Sequence, residues 1–238
     1  MTTAVQTRST VRPRGWWFDL LVVALFVALT LALVNGHLLK LDQDVATWVD
    51  GHRPAPLYWL ARVLNYLGQG GQVLTPVALL LAGVLAWRRR SARPLLVFVA
   101  AFVLTFLTIG PLKVWFDRAA PNFQGPEKTV LFNPYASGFQ ALSYPSGHLA
   151  NTLVWYGVIV MMLTALLGAA LAPRARLAIL VLPPVIVFCT TIYTGFHWLT
   201  DSVAGVLLGL VLARLMARVP WDTVPLPNLG GYSRRAGL

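Results

Sequence analysis

The sequence is poor in charge and in cysteine. Only 11% of its 238 residues are charged, and Asp and Glu together number eight. Soluble domains carry about a quarter charged residues, so this composition excludes a fold with a polar shell on every side. The single cysteine, Cys189, excludes a disulfide framework, and we expect it to be a small buried hydrophobic side chain.

The apolar residues, 57% of the chain, come in long blocks. A helix needs about 20 apolar residues to cross a bilayer core. The qualifying stretches are 16–35, 72–87, 94–112, 149–172, 177–196 and 197–217. The sequence therefore predicts an all-α polytopic membrane protein, with a six-helix domain over 16–218, a cytoplasmic N-terminal segment over 1–15 and a cytoplasmic tail over 219–238.

The net charge of +11 comes mostly from basic residues on one side of the predicted bundle. These residues are Arg8, Arg12, Arg14, Arg88, Arg89, Arg90, Arg93, Arg174, Arg176, Arg214, Arg218, Arg234 and Arg235. The positive-inside rule makes this side cytoplasmic and places both termini there, as an even number of spans requires. The basic excess thus indicates orientation in a plasma (inner) membrane and attraction to anionic lipid, and no nucleic-acid partner is expected.

The opposite, outer side carries all four histidines: His37, His52, His148 and His197. Between the first two spans, apolar residues of 57–67 recur at helical spacing and predict a short helix at the outer interface. The longest connection, 113–144, is rich in Pro, Gly, Asn and aromatic residues. Connections of that length in compact proteins are usually functional, so we expect an outer loop that carries part of a site.

The fourth span begins with the sequence YPSGH, residues 144–148. Ser146 can cap the helix, and Gly147 allows a ligand to approach the backbone amides, which favour an anion. His148 would then lie beside the anion and could act as a general acid. The alternative is a simple helix cap followed by an interfacial histidine.

At the start of the last span, His197 and Asp201 are four residues apart and would share one helix face. Asp201 could hold one ring nitrogen, which leaves the other free to attack an electrophile. A buried structural pair is the alternative. Gly205 and Gly209 continue the same stripe and predict close packing against the helix that begins at His148.

Two basic residues, Lys113 and Arg118, follow the third span and could hold the oxygens of a phosphate, although basic residues at helix ends also snorkel to the interface. Together with the histidines and Asp201, they place cations, an anion-binding helix start and a nucleophile on one membrane face. The chemistry that fits is phosphoryl transfer through a phosphohistidine, which requires no metal ion and no cofactor.

At these residues the chain resembles the type 2 phosphatidic acid phosphatase superfamily, whose motifs are K-x6-R-P, P-S-G-H and S-R-x5-H-x3-D. Residues 145–148 match the second motif without change, His197 and Asp201 match the third, and Lys113 and Pro121 match the ends of the first. The resemblance implies a six-span fold with its motifs on the outer or lumenal side, and an activity on phosphate esters.

The chain departs from the family at both motif arginines. Ala120 and Thr191 stand where the family has arginine, and Thr190 stands where it has serine. In the family those arginines hold the phosphoryl oxygens. We expect Arg118, two residues before the vacant position, to substitute as a phosphate ligand, and Thr191 to offer a neutral hydrogen bond.

The sequence thus predicts hydrolysis of a lipid phosphate or polyprenyl (di)phosphate at the outer face. His197 would be the nucleophile, Asp201 its orienting acid and His148 the general acid, with a phosphate subsite composed of Lys113, Arg118, Ser146, Gly147 and Thr191. One alternative is a phosphotransferase that passes a lipid- or sugar-linked phosphoryl group to another alcohol, and a second is a non-catalytic protein that binds lipid phosphate. The expected partners are the lipid substrate and membrane lipids, and the sequence leaves the oligomeric state open.

Overall fold

A computed structural model describes residue 13 and residues 15–225, which form helices and connecting turns without a β-sheet. The α-helices are α1 (Trp17–Val34), α2 (Leu39–Gly51), α3 (Ala55–Leu64), α4 (Thr75–Arg89), α5 (Arg93–Phe116), α6 (Gly147–Leu167), α7 (Pro173–Tyr193) and α8 (Leu199–Arg218). The predicted N-terminal segment falls almost wholly outside the described residues, and so does the tail beyond residue 225.

Six helical segments of the described chain are long and apolar enough to cross a membrane. They are Trp17–Val34, Gly70–Arg89, Arg93–Phe116, Gly147–Ala170, Pro173–Tyr193 and Leu199–Arg218. The second includes a π-helical turn, Gly70–Leu74, that leads into α4. Each predicted stretch overlaps one of these segments, so the prediction of a six-span, all-α membrane protein is confirmed.

The boundary between the last two spans differs from the prediction, which ran helix through 196 and 197. Helix α7 ends at Tyr193, because Gly195 adopts a left-handed φ of 72° and turns the chain. Helix α8 begins at Leu199, after Trp198 in extended conformation. His197 therefore lies on a short turn between two spans, and its side chain is directed by that turn instead of by a helix face.

The close packing predicted for the glycine stripe is confirmed. A Cβ added to Gly205 would lie 2.5 Å from the carbonyl oxygen of Ser146, and one added to Gly209 would lie 2.9 Å from Cα of Ala150. Any larger residue would push α8 away from α6. The two glycines thus bring the start of α6 beside the start of α8, where the motif residues are.

Between α1 and α4 the chain forms two helices, α2 and α3, where the sequence predicted one. Both pack against α7, and α2 also contacts α8. Asp42 of α2 is 1% exposed, so this polar helix inserts a carboxylate into the protein interior. We call the end of the bundle that holds Phe116, Gly147 and Leu199 the site end, and the opposite end the far end.

Candidate active site

A cleft of about 570 Å³ opens at the site end of the bundle. Four of the predicted site residues line it together: Lys113, Gly147, His148 and His197. They come from the end of α5, the start of α6 and the turn before α8. The structure thus brings together side chains that are separated by as many as 84 positions in the sequence.

The two histidines face each other across the cleft wall. Nδ1 of His148 lies 3.2 Å from Nε2 of His197, and the rings meet edge to face with centroids 5.3 Å apart. Nε2 of His148 is buried and has no hydrogen-bond partner within residues 13 and 15–225. His148, which lines the cleft, therefore has unused hydrogen-bonding capacity.

Burial lowers the pKa of His197, which is 4% exposed, although Asp201 acts in the opposite direction. Desolvation disfavours the charged imidazolium, so the ring is neutral at pH values near 7. A neutral imidazole carries a free lone pair, which is the form a nucleophile needs.

The link between His197 and Asp201 passes through a serine. Nδ1 of His197 is 3.8 Å from Oδ2 of Asp201, which is beyond hydrogen-bond distance. Oγ of Ser143 lies 2.6 Å from that carboxylate oxygen and 3.3 Å from Nδ1 of His197. The hydroxyl can donate to Asp201 while it accepts from the ring. Ser143 is thus a site residue that the sequence reasoning missed.

Asp201 itself is fully buried behind the cleft and heavily bonded. Its Oδ1 accepts from Arg118 at 2.6 Å, and its Oδ2 accepts from Ser143 and from the backbone N–H of Trp198 at 2.9 Å. These donors fix the carboxylate in one orientation. The predicted proximity of Asp201 to His197 is present, with Ser143 between them.

The start of α6 agrees in part with the sequence prediction. Oγ of Ser146 caps the helix by accepting from Leu149 N at 3.4 Å, but Ser146 is fully buried and does not line the cleft. Gly147 does line it, and a Cβ there would lie 2.9 Å from Cε of Lys113. Because Gly147 has no side chain, Lys113 can pack against it, and Lys113 Nζ donates to the carbonyl oxygen of Leu142.

A second helix start also reaches the cleft. Gly70 and Gly71, the first residues of the π-helical turn before α4, line it next to α6. Because Val73 and Leu74 are the first residues of this turn whose N–H groups bond within it, both to Gln69 O, the earlier amides lack intrahelical partners. Two positive helix ends therefore converge on one cavity.

Arg118 does not line the cleft, which corrects the expectation that it replaces the missing family arginine. Its side chain is fully buried and forms ion pairs of 2.6 Å with both Asp42 and Asp201. It also donates to Thr200 at 2.8 Å and to the carbonyl oxygen of Thr129 at 2.9 Å. These contacts use four of the five guanidinium N–H groups, and the side chain is fully buried, so Arg118 anchors Asp201 and is not exposed to a phosphate in the cleft.

The charges of this network stabilise one another. Burial alone would lower the pKa of Arg118, but Asp201 and Asp42 outweigh it and raise that pKa above its ordinary value. Burial raises the pKa of Asp42, and Arg118 opposes that rise. Asp42 also accepts from the backbone N–H of Thr200 at 3.0 Å, which ties α2 to the first turn of α8.

Thr191 is likewise buried outside the cleft, so its hydroxyl does not take the place of an arginine in the cavity. It donates to the carbonyl oxygen of Val187 in its own helix at 2.8 Å. The carbonyl oxygen of Thr191 accepts from the N–H groups of Phe196 and His197, at 3.0 and 3.3 Å. Its contribution is to shape the turn that carries His197. Ala120, the other vacant position, does line the cleft.

Comparisons with known proteins agree with this architecture. The chain is 26% identical over 216 residues to an undecaprenyl-diphosphatase of Sulfolobus acidocaldarius, covering 90% of this chain and 95% of that protein. It is 28% identical over 158 residues to phosphatidylglycerophosphatase B of Bacillus subtilis, covering 65% and 72%.

Among solved structures, the transmembrane PAP2 type phosphatidylglycerolphosphate phosphatase of Bacillus subtilis superposes with a TM-score of 0.68 at 22% identity. The superposition covers 83% of this chain and 93% of that one. The sequence pattern of the PAP2 superfamily matches residues 94–225, which include every cleft residue contributed by α5, α6 and the turn before α8. The chain therefore belongs to the PAP2 superfamily.

Proposed function

We propose that this protein hydrolyses a lipid phosphate or a polyprenyl diphosphate through a phosphohistidine on His197. The observation that carries the proposal is the buried His197 in a cleft that also holds His148, Lys113 and two helix starts. The relatives named for undecaprenyl diphosphate and phosphatidylglycerophosphate support the same class of substrate. The cleft opens at the end of a membrane bundle, which suits an amphiphile that enters from the bilayer.

In the first step, Nε2 of His197 attacks phosphorus and the bond to the leaving oxygen breaks. His148 donates a proton to that oxygen, so the lipid alcohol or lipid monophosphate leaves with its leaving oxygen protonated. In the second step, His148 accepts a proton from water, the water oxygen bonds to phosphorus, and the phosphorus–nitrogen bond breaks to release phosphate. Because Nε2 of His197 contacts His148 at 3.2 Å, the phosphoryl group must enter between the two rings.

The orientation of His197 depends on Ser143. Nδ1–H of His197 donates to Oγ of Ser143, which donates to Asp201. This chain fixes the tautomer with the lone pair on Nε2, the role that a buried carboxylate plays directly in catalytic triads. Arg118 and Asp42 hold Asp201 from behind, so they are positioning residues and not phosphate ligands.

The phosphate subsite relies on Lys113 and backbone amides instead of two arginines. The first N–H groups of α6 and of the turn Gly70–Leu74 have no intrahelical partner. The positive ends of these two helix dipoles therefore lie at the cavity. Backbone donors that are fixed before the substrate arrives stabilise developing charge without reorganisation. They supply part of what the arginines absent at Ala120 and Thr191 provide in the family.

The protein is proposed to lie in the plasma membrane with its cleft outward and both termini cytoplasmic. Arginines that the structure describes at the far end support this orientation, because basic residues favour the cytoplasmic side: Arg88, Arg89, Arg90, Arg93, Arg174, Arg176, Arg214 and Arg218. In a Cys189→Ser background, a membrane-impermeant thiol reagent should label an Arg88→Cys variant only after the cells are opened, and labelling of intact cells would refute the orientation.

The hydrolase proposal is tested by phosphate release from a panel of lipid phosphates and polyprenyl diphosphates, with purified protein in detergent. His197→Ala should abolish release, whereas His52→Ala, a histidine outside the cleft that stacks on Trp48, should leave it intact. Release that survives His197→Ala refutes the nucleophile. Product that forms only when an alcohol acceptor is added indicates a phosphotransferase, and no turnover of any substrate indicates a binding protein.

A further inference from the structure

A second cavity, of about 290 Å³, lies at the far end of the bundle. It is bounded by the last turns of α4 and α6, the first turn of α5 and the segment that follows α8. Its charged lining residues are Arg89, Arg93 and Asp222, and its apolar wall includes Leu85, Val97, Met162 and Trp221. On α5, Val97 lines this far-end cavity and Lys113 lines the cleft, so roughly 24 Å of helix separates the two.

The two arginines of the far-end cavity outweigh the charge of Asp222, a carboxylate that also lines it. Within residues 13 and 15–225, neither has a carboxylate oxygen within 4.0 Å, whereas Arg214 and Arg218 at the same end both pair with Asp19. Nε of Arg93 is buried and has no hydrogen-bond partner in that part of the chain. Arg93 gives one N–H to the carbonyl oxygen of Val224 at 3.5 Å, and its buried Nε–H still lacks an acceptor, which favours an anion at this site.

The wall composition identifies the kind of anion. A guanidinium matches two oxygens of a phosphate in a bidentate fork, and Arg89 has donors beyond the one it gives to Ala165 O. The apolar wall continues from these charges toward the middle of the bundle, as the glycerol and first methylenes of a lipid require. Basic cavities between membrane helices on the cytoplasmic side typically bind anionic lipid headgroups.

We propose that the far-end cavity binds the phosphate group of an anionic phospholipid from the leaflet on that side, through Arg89 and Arg93. This site is separate from the cleft and does not depend on catalysis. The same phosphate chemistry is available from free inorganic phosphate, but that ion would leave the apolar wall without a partner.

The test is native mass spectrometry of the full-length protein in detergent with added phosphatidylglycerol. Wild type should retain one lipid, and Arg89→Gln with Arg93→Gln should weaken its apparent affinity at least about tenfold. Arg88→Gln, on the same helix but outside the cavity, should retain it. Lys113→Met, in the cleft, should also retain the lipid. This variant therefore distinguishes lipid bound in the far-end cavity from lipid bound in the proposed catalytic cleft.

The proposal is overturned if phosphatidylcholine with the same chains is retained equally, if the double variant keeps its lipid, or if Lys113→Met loses it. If inorganic phosphate displaces the lipid at concentrations similar to those at which the lipid binds, the assignment to a lipid is overturned. Each variant is first compared with wild type by thermal unfolding in lipid-free detergent. If the double variant does not fold, Val97→Trp fills the same cavity without a change of charge, and it must displace the lipid.

Discussion

The role of Ser143 gives the sharpest quantitative prediction, because its hydroxyl contacts both His197 and Asp201. Ser143→Ala removes a 2.6 Å hydrogen bond to the carboxylate and a 3.3 Å contact to the ring, and leaves the two groups 3.8 Å apart. Hydrogen bonds to charged groups contribute about 1.5–3 kcal/mol. We therefore expect kcat to fall about 10- to 100-fold, since about 1.4 kcal/mol corresponds to tenfold in rate.

The Michaelis constant should change less than about threefold, because the lost bonds orient the nucleophile and do not hold the substrate. The assay is initial-rate phosphate release from a polyprenyl diphosphate in detergent. The matched control is Ser202→Ala, a buried serine of α8 whose hydroxyl, among the residues that the structure describes, bonds only to the carbonyl oxygen of Trp198. Ser202→Ala should keep kcat within about twofold of wild type, because it removes a buried hydroxyl near the site that does not contact His197.

A Ser143→Ala enzyme that turns over like wild type would refute this reasoning. It would mean that His197 and Asp201 come into direct contact once substrate binds. A fall equal to that of Ser202→Ala would point to a general loss of packing. Ser143→Thr keeps the hydroxyl and should recover part of the rate, which a purely structural role would not predict.

Three further predictions concern the residues around this link. Asp42→Asn leaves the buried Arg118 with Asp201 as its remaining carboxylate, and breaking a buried pair costs about 3–5 kcal/mol. The unfolding midpoint in detergent should drop clearly, whereas Asp44→Asn, which breaks an exposed pair with Lys40, should change stability by less than about 1 kcal/mol. Because burial lowers the pKa of His197, kcat/KM should stay high as pH falls through about 6.5 and decline only at lower pH, when the ring gains a proton. A pH profile of diphosphate hydrolysis with half its activity lost at or above pH ~6.5 would contradict that. Ala120→Arg places a guanidinium in the cleft and should tighten inhibition by inorganic phosphate about tenfold relative to Ala120→Gln, and equal inhibition constants would show that the position does not face the phosphate.

The fold was predictable from sequence because lipid imposes strong constraints. A spanning helix must satisfy its backbone internally and bury about 20 apolar residues, and those stretches are plain in the chain. The close approach of α6 and α8 was predictable for the same kind of reason, since Gly205 and Gly209 are spaced to face one neighbour. The positions of His148, His197 and Lys113 follow from the ends of these helices.

The role of Arg118 was not predictable, because it depends on a distant partner. Asp42 is 76 positions away, on a helix whose sequence gives no sign that one carboxylate is buried. The arginine lies two residues from the vacant family position, which suggested a phosphate ligand. In the structure Asp117 ends α5 with a left-handed φ of 43°, and the chain then directs Arg118 inward to Asp42 and Asp201.

Ser143 escaped the sequence reasoning for a related reason. A serine before the P-S-G-H motif has no spacing that ties it to His197 or Asp201, which follow more than 50 residues later. Its place depends on how the loop before α6 packs on the start of α8. The backbone N–H of Ser143 donates to the carbonyl oxygen of Arg118 at 2.9 Å, and this contact holds the hydroxyl between the two groups.

The central claim, that His197 carries the phosphoryl group, is tested most directly by trapping it. The enzyme is mixed with a lipid substrate that carries a ³²P label on the transferred phosphate, and the reaction is stopped within one turnover. We expect label on the protein that is stable in base and lost in acid, as a phosphohistidine is, and no label on His197→Ala. A wild-type enzyme that releases phosphate without ever carrying label, or a labelled His197→Ala protein, would contradict the account.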